Sequence, residues 1–338
     1  MKKIFFIVLL LSLPVHAKIF SAPEPKATAP FSTRSQNPLY LQFISDRLEK
    51  TETLPIRHYS SSVEFGLSNL FERRRRVSGT GIDLDMELYR TEFSLHYGLT
   101  HNYEIGLDMP FISFSGGFLD PIIQAYHNAF GLPNAGRNRV EDNRFSYLIT
   151  QNGSVLYEVD RSGFGPGDLV LYQKIKIREE GKFWPALAVK ALIKLPTGSP
   201  TEGTGSGNAD SALSLLGDKS WGRFHTTTQI GVAVLGDHER LKSIQKSGAV
   251  HFGQAFGFNL SNNLSLVAQI TGNTPYFENV TIPELSDPVL DLTFGLSGEK
   301  NLQNSFRKIR YAVAFTEDPL TFGPSVDFTL TLKAGLEF

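Results

Sequence analysis

From Ser60 onward, apolar and polar residues alternate with a period of two rather than the 3.6 of a helix. Val63, Phe65 and Leu67 stand against Ser62, Glu64 and Gly66. Tyr89, Thr91, Phe93, Leu95 and Tyr97 stand against Arg90, Glu92, Ser94 and His96. The same alternation recurs over 103–109, 169–177, 187–193, 210–215, 230–234, 252–260, 264–270, 290–296, 309–315 and 326–338, which makes 12 segments. With their flanking residues these read as strands of roughly 9–12 residues, the length a tilted strand needs to cross a bilayer. Leu, Ile, Val and Phe hold one face throughout, with Gln173 and Gln254 as the clear exceptions. The other face is mostly Gly, Ala, Ser and Thr with sparse charges. A soluble β-sandwich also alternates, but this composition suits a crowded lumen surrounded by lipid. The pattern predicts an all-β, transmembrane, antiparallel up-and-down barrel of about 12 strands, occupying residues 58–338.

The connections are unequal. Thr100 to Asn102 and Ser261 to Asn263 are tight turns, whereas 71–81, 115–166, 196–208, 236–247 and 274–288 are long. Short periplasmic turns and long external loops are the usual asymmetry of such barrels. The insertion 115–166, between the third and fourth transmembrane strands, carries Phe118, Ile122, Tyr126 and Phe130 at helical spacing, with Gly131 as the stop. A hairpin over 147–159 turning at Asn152-Gly153 follows. The helix is expected to constrict the pore or cap its mouth, so these four residues are constriction candidates. The final strand ends on Phe338, and its Asp327 and Lys333 are expected in the lumen.

Residues 1–17 read as a signal peptide: Lys2 and Lys3, a short apolar stretch, then Val15-His16-Ala17. Residues 18–57 are then either a periplasmic arm or a plug in the barrel mouth, because Leu39, Leu41 and Phe43 need something to pack against. No other segment approaches the length of a transmembrane helix, so a membrane location requires a closed barrel. The expected location is the outer membrane of a Gram-negative cell.

Charge narrows the function. There are 33 Lys+Arg against 34 Asp+Glu, or 31 against 34 once Lys2 and Lys3 are removed, which argues against a nucleic-acid binder. The absence of cysteine excludes a lipoprotein anchor. Arg90, Glu92, Glu104 and Asp108 form an acidic-leaning patch on two neighbouring strands. Lys174, Lys176, Lys190 and Lys194 form a basic wall on another pair. With Arg310, these are the lumen candidates; they either orient a polar permeant in a transverse field or pair across a filled interior. Arg73, Arg74, Arg75 and Arg76 lie just beyond the first strand, where a guanidinium fork suits lipid phosphate. Gly203-Thr204-Gly205-Ser206-Gly207 lacks the Lys and helix of a phosphate loop. Ser94 and His96 share a face, but no nucleophile elbow and no metal-ligand spacing occur. No cofactor and no catalytic residue are expected.

The stretches Ser35-Gln36-Asn37-Pro38-Leu39, Met109-Pro110-Phe111-Ile112-Ser113, Gly116-Gly117-Phe118-Leu119-Asp120 and Phe130-Gly131-Leu132-Pro133-Asn134-Ala135-Gly136-Arg137 resemble an uncharacterised Gram-negative outer-membrane β-barrel family, a domain of unknown function. Gly165-Pro166-Gly167-Asp168-Leu169, Lys194-Leu195-Pro196-Thr197-Gly198 and Gly203-Thr204-Gly205-Ser206 bear a looser resemblance to the outer-membrane transporter family of the phenol-degradation meta-pathway. Neither resemblance supplies catalytic residues. The terminal Phe338 resembles the signal by which the barrel-assembly machinery takes its clients. Together these imply a channel or transporter for a small molecule, an apolar one included, with outer-membrane lipids, lipopolysaccharide and the assembly machinery as partners. A structural or surface-interaction barrel with a closed lumen is the rival reading, and a lipid-modifying enzyme the third.

Overall fold

A strand that exposes apolar side chains on one face needs lipid or a second layer over it, and a row of strands needs partners at both edges. The computed structural model meets the second need by closure. It describes residues 30–338 except 76–77, 132–133, 135, 281, 303–306 and 320–322; the expected signal peptide, 1–17, and residues 18–29 lie outside the described residues. The strands are β1 (Tyr59–Arg75), β2 (Gly81–Thr100), β3 (Tyr103–Ser115), β4 (Ser146–Gln151), β5 (Ser154–Val159), β6 (Gly163–Pro166), β7 (Leu169–Arg178), β8 (Ala186–Leu195), β9 (Asp210–Trp221), β10 (Phe224–Val234), β11 (Gly248–Ser261), β12 (Leu264–Asn273), β13 (Val289–Asn301), β14 (Lys308–Glu317) and β15 (Phe328–Glu337).

Every wall strand pairs antiparallel with its neighbours. β1 pairs with β15, and β3 passes directly to β7, so β1–β3 and β7–β15 form a closed barrel of 12 strands. At the seam the last residue is tied to the first strand: the Phe338 N–H donates to the Tyr59 carbonyl at 2.9 Å, and the Tyr59 N–H returns the bond at 3.3 Å. The short β4–β5 hairpin adds to the far end of β2, and β6 adds to the far end of β3. Among the described residues no helix is long and apolar enough to cross a membrane.

The apolar face is outward. Leu213, Leu215, Ile230, Val232, Phe252, Phe256, Leu266 and Phe294 are all exposed. The tight turns gather at one end of the barrel and the long loops at the other. The helix α1 (Asp120–Phe130) lies where the sequence predicts it and ends at Gly131, whose φ of 69° is left-handed, a conformation glycine adopts without a Cβ penalty.

Three details depart from the sequence reading. β1 and β2 run on to Arg75 and Gly81, so most of the expected loop 71–81 is strand. That extension is supported along its edge by β4, which pairs with Gly81–Asp85. Val326 precedes β15 and is buried in the interior cluster instead of facing outward. Asp327 does not enter the lumen; its carboxylate accepts the Phe71 N–H and pairs with Arg137.

Candidate functional site

The interior of the barrel is occupied by residues 30–57. Phe31 to Arg34 lie at mid-height: the Phe31 N–H donates to Gln269 Oε1 at 3.1 Å and Arg34 reaches Glu92 at 2.8 Å. The chain then rises to the long-loop end, where Asn37 donates to the Pro324 carbonyl and the Tyr40 ring stacks on Tyr276 at 4.7 Å. It descends past Asp210, which accepts the Ile44 N–H at 2.8 Å, and Asp218, which accepts the Thr51 N–H at 2.6 Å. It reaches the tight-turn end where Glu104 accepts the Leu54 N–H at 2.6 Å. Leu39, Leu41 and Phe43 all find buried partners. The wall makes room where glycine faces the segment. A Cβ on Gly98 would stand 2.1 Å from the Pro55 carbonyl oxygen, and one on Gly231 would stand 2.9 Å from the Asp46 carboxylate.

The middle of the lumen is ionic. Glu92 is surrounded by the guanidinium groups of Arg34, Arg47 and Arg90. Arg47 spans Glu92 and Asp108, and Arg90 also reaches Glu64 at 3.6 Å. On the opposite charge, Lys190 meets Asp46 at 2.8 Å and Glu49 at 3.6 Å, and Lys174 meets Glu49 at 3.7 Å. Tyr172 donates to Glu49 at 2.9 Å. The lysines also donate to carbonyls of the segment: Lys174 to Lys50, Lys190 to Arg47 and Lys194 to Gln42. The segment therefore offers cations to the acidic patch and carboxylates to the basic wall. Burying a charge without such a partner is costly.

The two patches are not opposed across the barrel. β3 pairs with β7, so they form one continuous wall, and Glu104 lies 3.8 Å from Lys174 across that seam. Of the two expected arrangements, a transverse field or pairing across a filled interior, the contacts match pairing. Lys176 pairs with the exposed Glu179, and Arg310 with Glu299 and Glu337; both lie at the tight-turn rim, outside this network. Both nitrogens of His96 face carboxylates, Nδ1 3.2 Å from Glu104 and Nε2 3.6 Å from Asp108, and its ring stacks on Tyr172. His96 is clamped in the network rather than poised over Ser94.

Above this layer the lumen turns apolar. Ile82, Leu84, Met86 and Leu88 of β2 and Ile112 and Phe114 of β3 face inward around Leu39, Tyr40, Phe43 and Ile44. Gln42 is the polar hub of this storey. It donates to Tyr147 Oη at 2.9 Å and accepts from Tyr157 Oη at 3.2 Å. It also accepts from His238 Nε2 at 2.8 Å, while His238 Nδ1 accepts the N–H groups of Arg240 and Leu241. Burial, reinforced by Lys194 and Arg240, pushes His238 down to about 4. Burial pushes Tyr157 up to about 12.

The remaining candidates lie elsewhere. Arg73 to Arg75 fall within β1, not beyond it. Arg73 pairs with Asp83 at 3.4 Å and Arg74 with Glu284 at 2.5 Å; Arg76 falls outside the described residues. Phe118, Ile122 and Tyr126 are more than half exposed, and Phe130 is the last residue of their helix. Phe118, Ile122 and Tyr126 do not line the lumen, so of the two expected roles, constricting the pore or capping its mouth, they do not play the first; residues 30–57 fill the interior. No group of three or more His, Asp or Glu residues able to hold a metal occurs among the described residues.

Sequence reasoning missed Arg34, Asp46, Arg47 and Glu49 as the partners of the lumen charges. The signal was present: a short segment rich in both signs, followed by a barrel whose lumen carries both.

The fold has solved counterparts. The COG4313 outer membrane channel from Pseudomonas putida F1 is 13% identical, with a TM-score of 0.54 over 86% of this chain and 98% of that one. The NanC porin, 7% identical over 82% of this chain and 98% of its own, has a TM-score of 0.42. The P. putida toluene transporter TodX, 10% identical over 90% and 91%, has a TM-score of 0.36. At these identities the likeness concerns the fold, and only the first is close enough to carry that. No curated protein matches the sequence. One family model, described as a protein of unknown function (DUF3187), matches residues 6–338, nearly the whole length, and the chain belongs to that family.

Proposed function

We propose that this protein is an outer-membrane channel for a small molecule, with residues 30–57 acting as a displaceable plug. The long loops face outward and the tight turns the periplasm. The observation that carries the reading is the way the segment is held. At mid-height its contacts with the wall are mostly ion pairs and hydrogen bonds, and buried ion pairs contribute little net stability because desolvation offsets their attraction. Such a seat can be exchanged for water and permeant more readily than a packed apolar one. The apolar outer storey admits an apolar or amphipathic permeant and excludes a strongly charged one. Phe338, at the closing seam, supports the assembly-signal reading.

The absence of native cysteine allows a direct test. A Cβ at Gly253 would lie 3.3 Å from Leu48 Cβ, close to the roughly 3.8 Å typical of disulfides. The double variant Leu48→Cys/Gly253→Cys, oxidised, should abolish conductance in planar bilayers, and reductant should restore it. Closure to conductance in wild type and in both redox states would refute the channel. That outcome would favour the closed structural barrel, a reading to which the dense packing around Gln42 gives some support.

A further inference from the structure

The outer flank of the β1–β2 extension carries a surface that the channel reading does not use. Alternation along β2 places Arg90 and Glu92 inward, so Glu87 and Tyr89 point outward; Asn69 lies opposite Glu87 in register on β1. Both hold the start of α1 against the outside of the wall. Glu87 accepts the N–H groups of Phe118 and Leu119, and Asn69 donates to Asp120. Tyr89 donates to the same Glu87, and Phe93 lies four residues further down the same face. At about 3.4 Å per residue, α1 begins directly above the outward-facing band.

The face that α1 leaves uncovered is apolar. Phe118, Pro121, Ile122, Ala125, Tyr126 and Ala129 are exposed, with Asn128 the one exposed polar residue of the helix. The buried side carries Asp120, which Arg137 pairs at 3.0 Å. An isolated apolar residue on a water-facing helix needs no explanation, but a continuous apolar face does. Beside the helix, on the same outward flank, is a cavity of about 520 Å³ lined by Phe71, Arg73, Asp83, Arg139, Leu148 and Thr150 among others. Its one carboxylate here is largely neutralised: Arg144 grips Asp83 with two N–H groups, at 3.1 and 2.8 Å. The Arg139 guanidinium is exposed and has no carboxylate partner among the described residues, and Arg73 keeps only the 3.4 Å approach to Asp83.

We infer that this flank binds a phosphorylated, acylated lipid of the outer leaflet, its phosphate between Arg73 and Arg139 and its acyl chains along Phe118, Ile122 and Tyr126. Guanidinium forks match phosphate oxygens in bidentate geometry. An amphipathic helix with its apolar face turned to acyl chains lies in the membrane interface plane. The inference rests on the outer-membrane orientation proposed above, and the two fail separately in the following experiment.

With no native cysteine, Ala125→Cys and, as a control in the wall band, Leu213→Cys each take a single fluorophore. In phosphatidylcholine vesicles containing nitroxide-labelled acyl chains, both labels should be quenched. An unquenched Leu213 site refutes the membrane reading itself. Quenching at Leu213 with Ala125 reached only by an aqueous quencher, or by neither, as when another protein covers it, overturns the lipid face alone. The headgroup is tested by native mass spectrometry with lipid A, dephosphorylated lipid A and inorganic phosphate. Arg73→Gln/Arg139→Gln should lower lipid A retention at least about tenfold, as loss of charge-assisted bonds would. Dephosphorylated lipid A should bind wild type as weakly as the variant binds lipid A. Equal retention by wild type and variant, or inorganic phosphate competing on equal terms with lipid A, overturns the phosphate site. Unchanged heat-modifiable migration shows that the variant barrel remains folded.

Discussion

The two storeys of the lumen hold the same segment by opposite means. Around Glu92, three arginines converge on one carboxylate, and each buried charge of the segment meets its complement on the wall. Around Phe43, four residues before Arg47, the contacts are rings and aliphatic side chains: Tyr276 at 5.4 Å, Phe277 at 5.9 Å and His238 at 5.7 Å. Apolar packing is non-directional and tolerates volume-conserving change. A buried charge network tolerates loss of a member poorly, because the remaining charges keep their desolvation cost. The ionic storey therefore fixes the register of the segment, and the apolar storey packs its long-loop end.

That contrast is broken most severely at Glu92. Glu92→Gln keeps the shape and removes the charge that Arg34, Arg47 and Arg90 share, and should cost about 3–5 kcal/mol. The measurement is urea-dependent folding into lipid vesicles, together with protease access to residues 30–57. A loss below about 1 kcal/mol, the scale of an exposed pair, would show that the network is solvated and not buried.

The storeys differ in how far the sequence announced them. The barrel itself was legible because lipid outside and a polar lumen inside impose period-two alternation on every wall strand. The lumen charges of β2, β3, β7 and β8 were legible for the same reason. Their partners were not, because residues 30–57 have no regular period and pair with the wall across long sequence separations. The apolar storey was hidden by a change of phase. In β2 the apolar positions are 82, 84, 86 and 88, then 89, 91, 93, 95 and 97, apart from Thr91. The shift at Leu88-Tyr89 marks where the strand leaves the lipid band. Above it Asp83, Asp85 and Glu87 face outward under Arg144 and the start of α1, and the apolar row turns inward. The same inversion accounts for the position of α1, expected to constrict the pore or cap its mouth: its start is held on the outward-facing Glu87, while Tyr147 and Tyr157 of the same insertion reach inward to Gln42.

A milder change sharpens the comparison from the apolar side. Phe43→Leu retains most of the buried volume but loses the edge-on ring contacts, and should cost about 1–2 kcal/mol. Read in the same folding assay, it should leave the ion pairs of Arg47 intact and the segment protected from protease. A cost equal to that of Glu92→Gln would erase the distinction between the storeys.

The effect at His238 vanishes at neutral pH and appears only in acid. An unfolded histidine titrates near 6.5, whereas His238 in the loop 235–247 is held down to about 4. The unfolded chain therefore binds the extra proton over that window, and stability falls as pH drops from about 6.5, with the full loss present below about 4. Protonation also removes the Nδ1 lone pair that accepts the Arg240 and Leu241 N–H groups, so the loop loosens above Gln42. Wild type should show protease sensitivity of the loop rising across this pH range. His238→Asn should show a flat profile, whatever its offset at neutral pH, since the slope and not the level reports the titration. A wild-type profile as flat as that of the variant would place the acid response of the outer storey on another group.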